Sequence, residues 1–284
     1  MPFILKHFRR SASFAAKKWG REAGVGCKPA LPGPEKRGGG EEVNRNPPDF
    51  LFPRRAKADI INTVPQNFCR NFFKEGNIVM CAMIPDLETH FREFIPPRDE
   101  LLRTLEEEAE REHIPIIGPL VGELLFILAR ATQARRVLEL GTATGYSAIY
   151  LARGCEPQSG RVISLELDGA MAARARGNLA RAGVADRVEV QEGQALLLME
   201  NMPGPFDLIF LDIDKESYLL ALDHCQRLLR LGGLLVADNV GFTGAQDFNR
   251  EIFRRPEWRV APLLCFLPAH SPERDGLSLA VKVA

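Results

Sequence analysis

A chain of 284 residues, 45% apolar and 26% charged, can bury one sizeable core plus an appendage. Its zero net charge hides a division: residues 1–80 hold 15 Lys/Arg against 7 Asp/Glu, and residues 81–284 hold 22 against 30. An acidic body disfavours nucleic acid, no apolar run is long enough to span a membrane, and six scattered cysteines without C-x-x-C spacing read as reduced thiols of a cytoplasmic protein.

Residues 1–80 lack any apolar period, and GVGCKPALPGPEKRGGGEEVNRNPPD is rich in Gly, Pro and charge, so disorder is expected there. The first twenty residues have the basic composition of an organelle transit peptide. The favoured expectation is that this stretch is not part of the working protein and that translation starts near Met80 or Met83. Residues 81–284 then form the working domain.

From Pro96 onward the chain becomes regular. RDELLRTLEEEAEREH sets Leu101, Leu102, Leu105 and Ala109 on one face of an amphipathic helix, and IPIIGPLVGELLFILARA opens a second. Next, RVLEL, RVISLEL, RVEVQEG, FDLIFLDID and GGLLVADNV read as apolar strands alternating with helical segments, the pattern of a parallel sheet covered on both faces. The closing WRVAPLLCFLP and DGLSLAVKVA read as two strands with no helix between them, a hairpin that makes the last strand antiparallel. The expected class is α/β, a Rossmann-like doubly wound sheet of seven mostly parallel strands.

In such a sheet ligands sit at the carboxyl ends of the strands, and the turn after the first strand comes nearest. Here that turn is VLELGTATGYSA, with Gly141 and Gly145. A dinucleotide fingerprint aligned on Gly141 needs glycines where Ala143 and Tyr146 stand, so pyrophosphate is disfavoured. Glu139 at the first strand end repels phosphate and suits a cationic, phosphate-free nucleoside such as S-adenosyl-L-methionine. Glu166 ends the second strand, where a carboxylate can accept both hydrogen bonds of a ribose diol. Further on, FLDIDKESY and VADNV bring Asp212 and the pair Asp238-Asn239 to neighbouring strand ends. Three oxygen ligands without His or Cys suit a hard divalent cation, Mg²⁺, Ca²⁺ or Mn²⁺. Lys215 follows at the start of a helix over the same rim, a candidate general base.

These motifs, with IPIIGPLVGELL and the closing DGLSLAVK, resemble the cation-dependent class I O-methyltransferases of the caffeoyl-CoA and catechol group, over about residues 96–284. The resemblance implies a seven-stranded fold and cofactor contacts at Glu139, Gly141, Tyr146, Ser147, Glu166 and Asp212. It also places Gly193, Gln194 and Ala195 near the adenine and Ile117 and Gly118 at the methionine end. It assigns the metal to Asp212, Asp238 and Asn239 and the base to Lys215, for methyl transfer to a hydroxyl of a small phenolic acceptor, in a homodimer.

Two departures bear on the acceptor. Catechol-specific relatives carry an acid where Ser278 stands, which argues against catechol itself. After VADNV the chain runs through GFTGAQDFNREIF straight to RRPEWRV, without the long insertion of many relatives, so a more open pocket is expected. Two other readings compete: methylation of 5-hydroxyuridine in tRNA, and a non-catalytic cofactor-binding module. The acidic body speaks against the first and the intact Asp212, Lys215, Asp238 and Asn239 against the second.

Overall fold

The structure, a computed structural model, describes residues 83–284, so the expectations for residues 1–80 fall outside the described residues. Among the described residues three helices precede the first strand. α1 (Leu87–Arg92) is capped by Asp86, whose carboxylate accepts from Thr89 N at 3.0 Å. In α2 (Glu100–Glu112) Asp99 caps in the same way, accepting from Leu102 N at 2.9 Å, and the helix buries the expected stripe of Leu102, Leu105 and Ala109 with Leu101 half-buried beside it. α3 (Gly118–Ala131) begins with Pro119 in its first turn, where a missing N–H costs nothing, and buries Val121, Leu125 and Ala129.

Strands and helices then alternate: β1 (Arg136–Leu140), α4 (Tyr146–Gly154), β2 (Arg161–Glu166), α5 (Gly169–Arg181), β3 (Val188–Glu192), α6 (Ala195–Glu200), β4 (Phe206–Leu211), α7 (Tyr218–Leu228), β5 (Leu229–Ala237), α8 (Gln246–Arg254), β6 (Trp258–Phe266) and β7 (Arg274–Lys282). Short 3-10 turns at Lys215–Ser217 and Thr243–Ala245 lead into α7 and α8. The seven strands lie in the order β3-β2-β1-β4-β5-β7-β6. β7 runs antiparallel to both β5 and β6, and the other pairings are parallel. The sheet is the expected Rossmann-like, doubly wound one. Winding proceeds outward in both directions from β1 and β4, so the order reverses between them, and there the crevice for a ligand opens.

Strand alternation assigns each residue to one face of the sheet. Val137, Leu208, Phe210, Leu234 and Val236 pack with apolar residues of α2 to α5. Leu138, Leu140, Ile209, Leu211, Leu235 and Ala237 pack with those of α6 to α8. Phe210 is fully buried, and truncating such a ring to Ala costs about 3–5 kcal/mol. Glu139 shares the parity of Val137, and this fixes where its carboxylate goes.

Candidate active site at the carboxyl ends of the strands

Gly141 leaves β1 with φ +86°, and a Cβ there would lie 2.1 Å from the carbonyl oxygen of Asp212. Only glycine lets β1 and the end of β4 approach this closely. Gly145, at φ +85°, is the residue from which α4 starts, and its N–H donates to Thr142 O at 2.8 Å. The two glycines therefore serve different ends, a close approach and a left-handed turn. Between them the chain folds over Glu166, which ends β2. One carboxylate oxygen of Glu166 accepts from Thr142 N at 3.2 Å and Ala143 N at 2.8 Å, and the other from Asp168 N at 2.9 Å. The first oxygen is thereby filled, and the second keeps one lone pair for a ligand hydroxyl.

The crevice is a cavity of about 600 Å³. Of the fourteen residues expected at the site, twelve line it: Ile117, Gly141, Tyr146, Ser147, Glu166 and the run Gly193, Gln194 and Ala195 on the side of β1 to β3, and Asp212, Lys215, Asp238 and Asn239 on the side of β4 and β5. Gly118 and Glu139 do not. Gly118 instead backs the β6–β7 turn, where a Cβ would meet the carbonyl oxygen of Ala269 at 2.5 Å. Glu139 is fully buried, because its strand parity turns it under α4 and not over the rim. The Ser164 hydroxyl donates to one of its oxygens, while the other, and the buried hydroxyl of Thr142, have no hydrogen-bond partner. Burial pushes the Glu139 carboxyl up to about 7, against the pull of nearby hydroxyls of Ser147, Ser164 and Thr142. Tyr146 also lines the cavity, but its hydroxyl donates to Glu106 of α2 at 2.6 Å.

On the opposite side the contacts run between side chains. Lys215 Nζ donates to Asp212 Oδ1 at 2.7 Å and to the Tyr218 hydroxyl at 3.0 Å. The Tyr218 O–H is shared between the carbonyl oxygens of Leu211, at 3.0 Å, and Asp238, at 2.9 Å, so one buried phenol joins the ends of β4 and β5. Burial, reinforced by Asp212 and Asp238, holds this phenol well above its ordinary value, and it remains a donor at neutral pH. Burial also raises the Asp212 carboxyl while Lys215 opposes it. The side chain keeps 26% of its surface open, so solvent in the cavity softens that rise.

The β6–β7 turn and the start of β7 supply two partners that the sequence pattern did not single out. His270 directs Nε2 at Asp238, 2.9 Å from Oδ2, and its Nδ1 lies 2.7 Å from Pro272 O. Burial works against the imidazolium, but the Asp238 carboxylate outweighs it and His270 is raised above its ordinary value. Asp275 accepts from Asn239 Nδ2 at 2.6 Å. Phe242, at the mouth, is 46% exposed. Ser278, at the position of the first departure, is buried in β7 and does not line the cavity.

Among the described residues no three His, Cys, Asp or Glu side chains converge as a metal cluster. Two carboxylates and one carboxamide do share the rim, and both neighbours of the carboxamide nitrogen are acceptors, so its oxygen is the free atom. That donor set fits a hard cation. Cys155, Cys225 and Cys265 are free thiols, and burial pushes the first two to about 11 and about 12, so neither is a thiolate at neutral pH. No helix among the described residues is long and apolar enough to cross a membrane.

Comparison with known proteins identifies the family. A catechol O-methyltransferase of Mycobacterium tuberculosis is 53% identical over 120 residues, 42% of this chain and 54% of that protein. One from Niastella koreensis is 44% identical over 128 residues, 44% of this chain and 58% of that protein. The chain spans about half the length of the curated relatives it matches. An O-methyltransferase from Bacillus cereus, solved in complex with SAH, superposes with a TM-score of 0.62 at 31% identity, over 69% of this chain and 96% of that one. A family model described as O-methyltransferase matches residues 96–252, more than half of the sequence, and the chain belongs to the O-methyltransferase family.

Proposed function

We propose that this chain transfers a methyl group from S-adenosyl-L-methionine to one hydroxyl of a small ortho-dihydroxy phenol, with the help of a divalent cation. The observation that carries the reading is the meeting, in one cavity, of the glycine turn with Glu166 on one side and Asp212, Lys215, Asp238 and Asn239 on the other. The complex with SAH of the Bacillus cereus relative and the catechol activity in the names of the curated relatives support it.

Glu166 accepts from a ribose hydroxyl with its remaining lone pair, on the oxygen that Asp168 N also meets, and the Gly193 to Ala195 run flanks the adenine. The positive φ at Gly193, +149°, lets this run turn directly off β3. Glu139 acts from behind the wall, where its unpartnered oxygen favours a positive charge in the crevice. A cation held by Asp212, Asp238 and Asn239 supplies Lewis acidity that makes the acceptor hydroxyls easier to ionise. Lys215 Nζ, steadied by Tyr218, holds the proton that the acceptor loses. Phe242 gives an aromatic ring an apolar surface at the mouth, and the rim fixes the acceptor for in-line displacement.

The test is turnover of ortho-dihydroxy phenols with labelled S-adenosyl-L-methionine, with and without EDTA. Turnover that chelation abolishes while SAH binding survives is the expected result. Undiminished turnover in EDTA overturns the metal role, and no turnover of any phenol overturns the acceptor class.

A further inference from the structure

Asn239 follows β5 in the left-handed backbone region, φ +50°, a conformation that asparagine tolerates better than most residues. Its side chain is nearly buried, and a carboxamide has two unlike faces, a donor and an acceptor. Which face meets the cavity decides whether the residue can hold a cation. We propose that Asp275 is a positioning residue that makes this choice, a proposal resting on the reading of Asn239 as a ligand residue.

The Nδ2 group of Asn239 donates to Asp275 Oδ2 at 2.6 Å and, more loosely, to Ser271 O at 3.4 Å. A carboxylate and a carbonyl only accept, so the nitrogen must face them and Oδ1 must turn to the cavity. Asp275 is itself fixed. It is 4% exposed, and Oδ1 accepts from Gly241 N at 3.1 Å and from Gly276 N at 2.6 Å. Gly241 permits the approach, since a Cβ there would lie 2.6 Å from Asp275 Oδ1. No salt bridge to Asp275 is formed among the described residues. Burying a carboxylate held only by N–H groups is costly, and an asparagine could serve the two glycine amides as well. What aspartate adds is an acceptor on its second oxygen, which rejects the flipped Asn239 amide.

Asp275→Asn tests this with almost no change of shape. It keeps an oxygen for Gly241 and Gly276 and sets an NH₂ against the NH₂ of Asn239, which should turn over and present its nitrogen to the cavity. The side-chain amide signals of Asn239, assigned by their loss in Asn239→Asp, should exchange slowly with solvent in the wild type and move in Asp275→Asn. Mn²⁺ affinity, read by electron paramagnetic resonance of free Mn²⁺, should fall about 10- to 100-fold. SAH affinity and melting temperature should stay near wild type. The double variant Asp275→Asn/Asn239→Asp should regain most of the Mn²⁺ affinity, because a carboxylate offers oxygen on both faces. Unmoved Asn239 signals with unchanged Mn²⁺ affinity overturn the positioning role alone. A wild type that binds no Mn²⁺ overturns the metal reading, and the amide signals then decide the orientation by themselves. If Asp275→Asn folds poorly, fast exchange of the wild-type Asn239 amide is enough to overturn the proposal.

Discussion

The two halves of the rim are built from different materials. Around β1 to β3 the cavity wall is main chain: a glycine turn, three backbone N–H groups on Glu166 and a left-handed glycine after β3. Around β4, β5 and β7 it is a mesh of side chains, in which Lys215, Tyr218, His270 and Asp275 each hold one of Asp212, Asp238 and Asn239 or the strand beneath it. The amides of a backbone cradle do not titrate, and they hold a fixed polarity around Glu166. A side-chain mesh depends on the polarity of each member, and exchanging one atom can reverse a contact. The first construction suits a cofactor of fixed shape, and the second suits proton and cation chemistry.

The hardest blow to this division is Gly141→Ala, because Gly141 belongs to the cradle yet touches the carbonyl of Asp212 across the divide. The added methyl meets main chain at a strained φ, and a loss of roughly 4 kcal/mol in urea unfolding is expected. Wild-type stability in that variant would show that the halves are not in contact.

Glu139→Gln probes the wall behind the cradle. With a folded value of about 7 against an ordinary 4.5, Glu139 contributes stability that is full below pH 4.5 and lost as pH rises through 7. The amide carries no such penalty. Glu139→Gln should exceed the wild type by only about 1 kcal/mol at pH 5 and by about 3 kcal/mol at pH 8. Parallel stability curves across that range would mean that Glu139 is already ionised.

Asp238→Ala attacks the mesh only. Turnover should fall about a hundredfold or more, as under chelation, while calorimetry finds SAH affinity near wild type. Equal losses of both would merge the halves into one unit. The smallest effect concerns the surface: with two lysines in residues 81–284 and an excess of acids, the domain should show no salt-sensitive retention on tRNA. Retention that weakens steeply with salt would favour the hydroxyuridine reading.

The cradle is also the half that the sequence made legible. Its glycines and Glu166 lie where a strand pattern stops, and local spacing points to them. Asp212, Asp238 and Asn239 were legible for the same reason. Glu139 misled, because it stands one residue before the end of β1 and parity sends it under α4. His270 and Asp275 follow no period. They reach Asp238 and Asn239 from more than thirty residues away, through an antiparallel return strand whose turn arrives at the rim. The one signal was a lone histidine just after an apolar run, and an Asp-Gly step. α1 and α6 escaped notice because six residues are too few for a helical period to show.

Phe242 and Leu167, exposed at 46% and 72%, line the cavity while no other side chain is hydrogen-bonded through them. Acceptor preference can therefore drift by substitution at Phe242 without disturbing the atoms that move protons, whereas Leu167 adjoins Glu166 on the cofactor side. The β6–β7 turn has no such freedom, since a change in its length displaces His270 and strains the entry to β7, where Asp275 sits. A library intended to widen the range of acceptors belongs at the mouth, and the turn is best left constant.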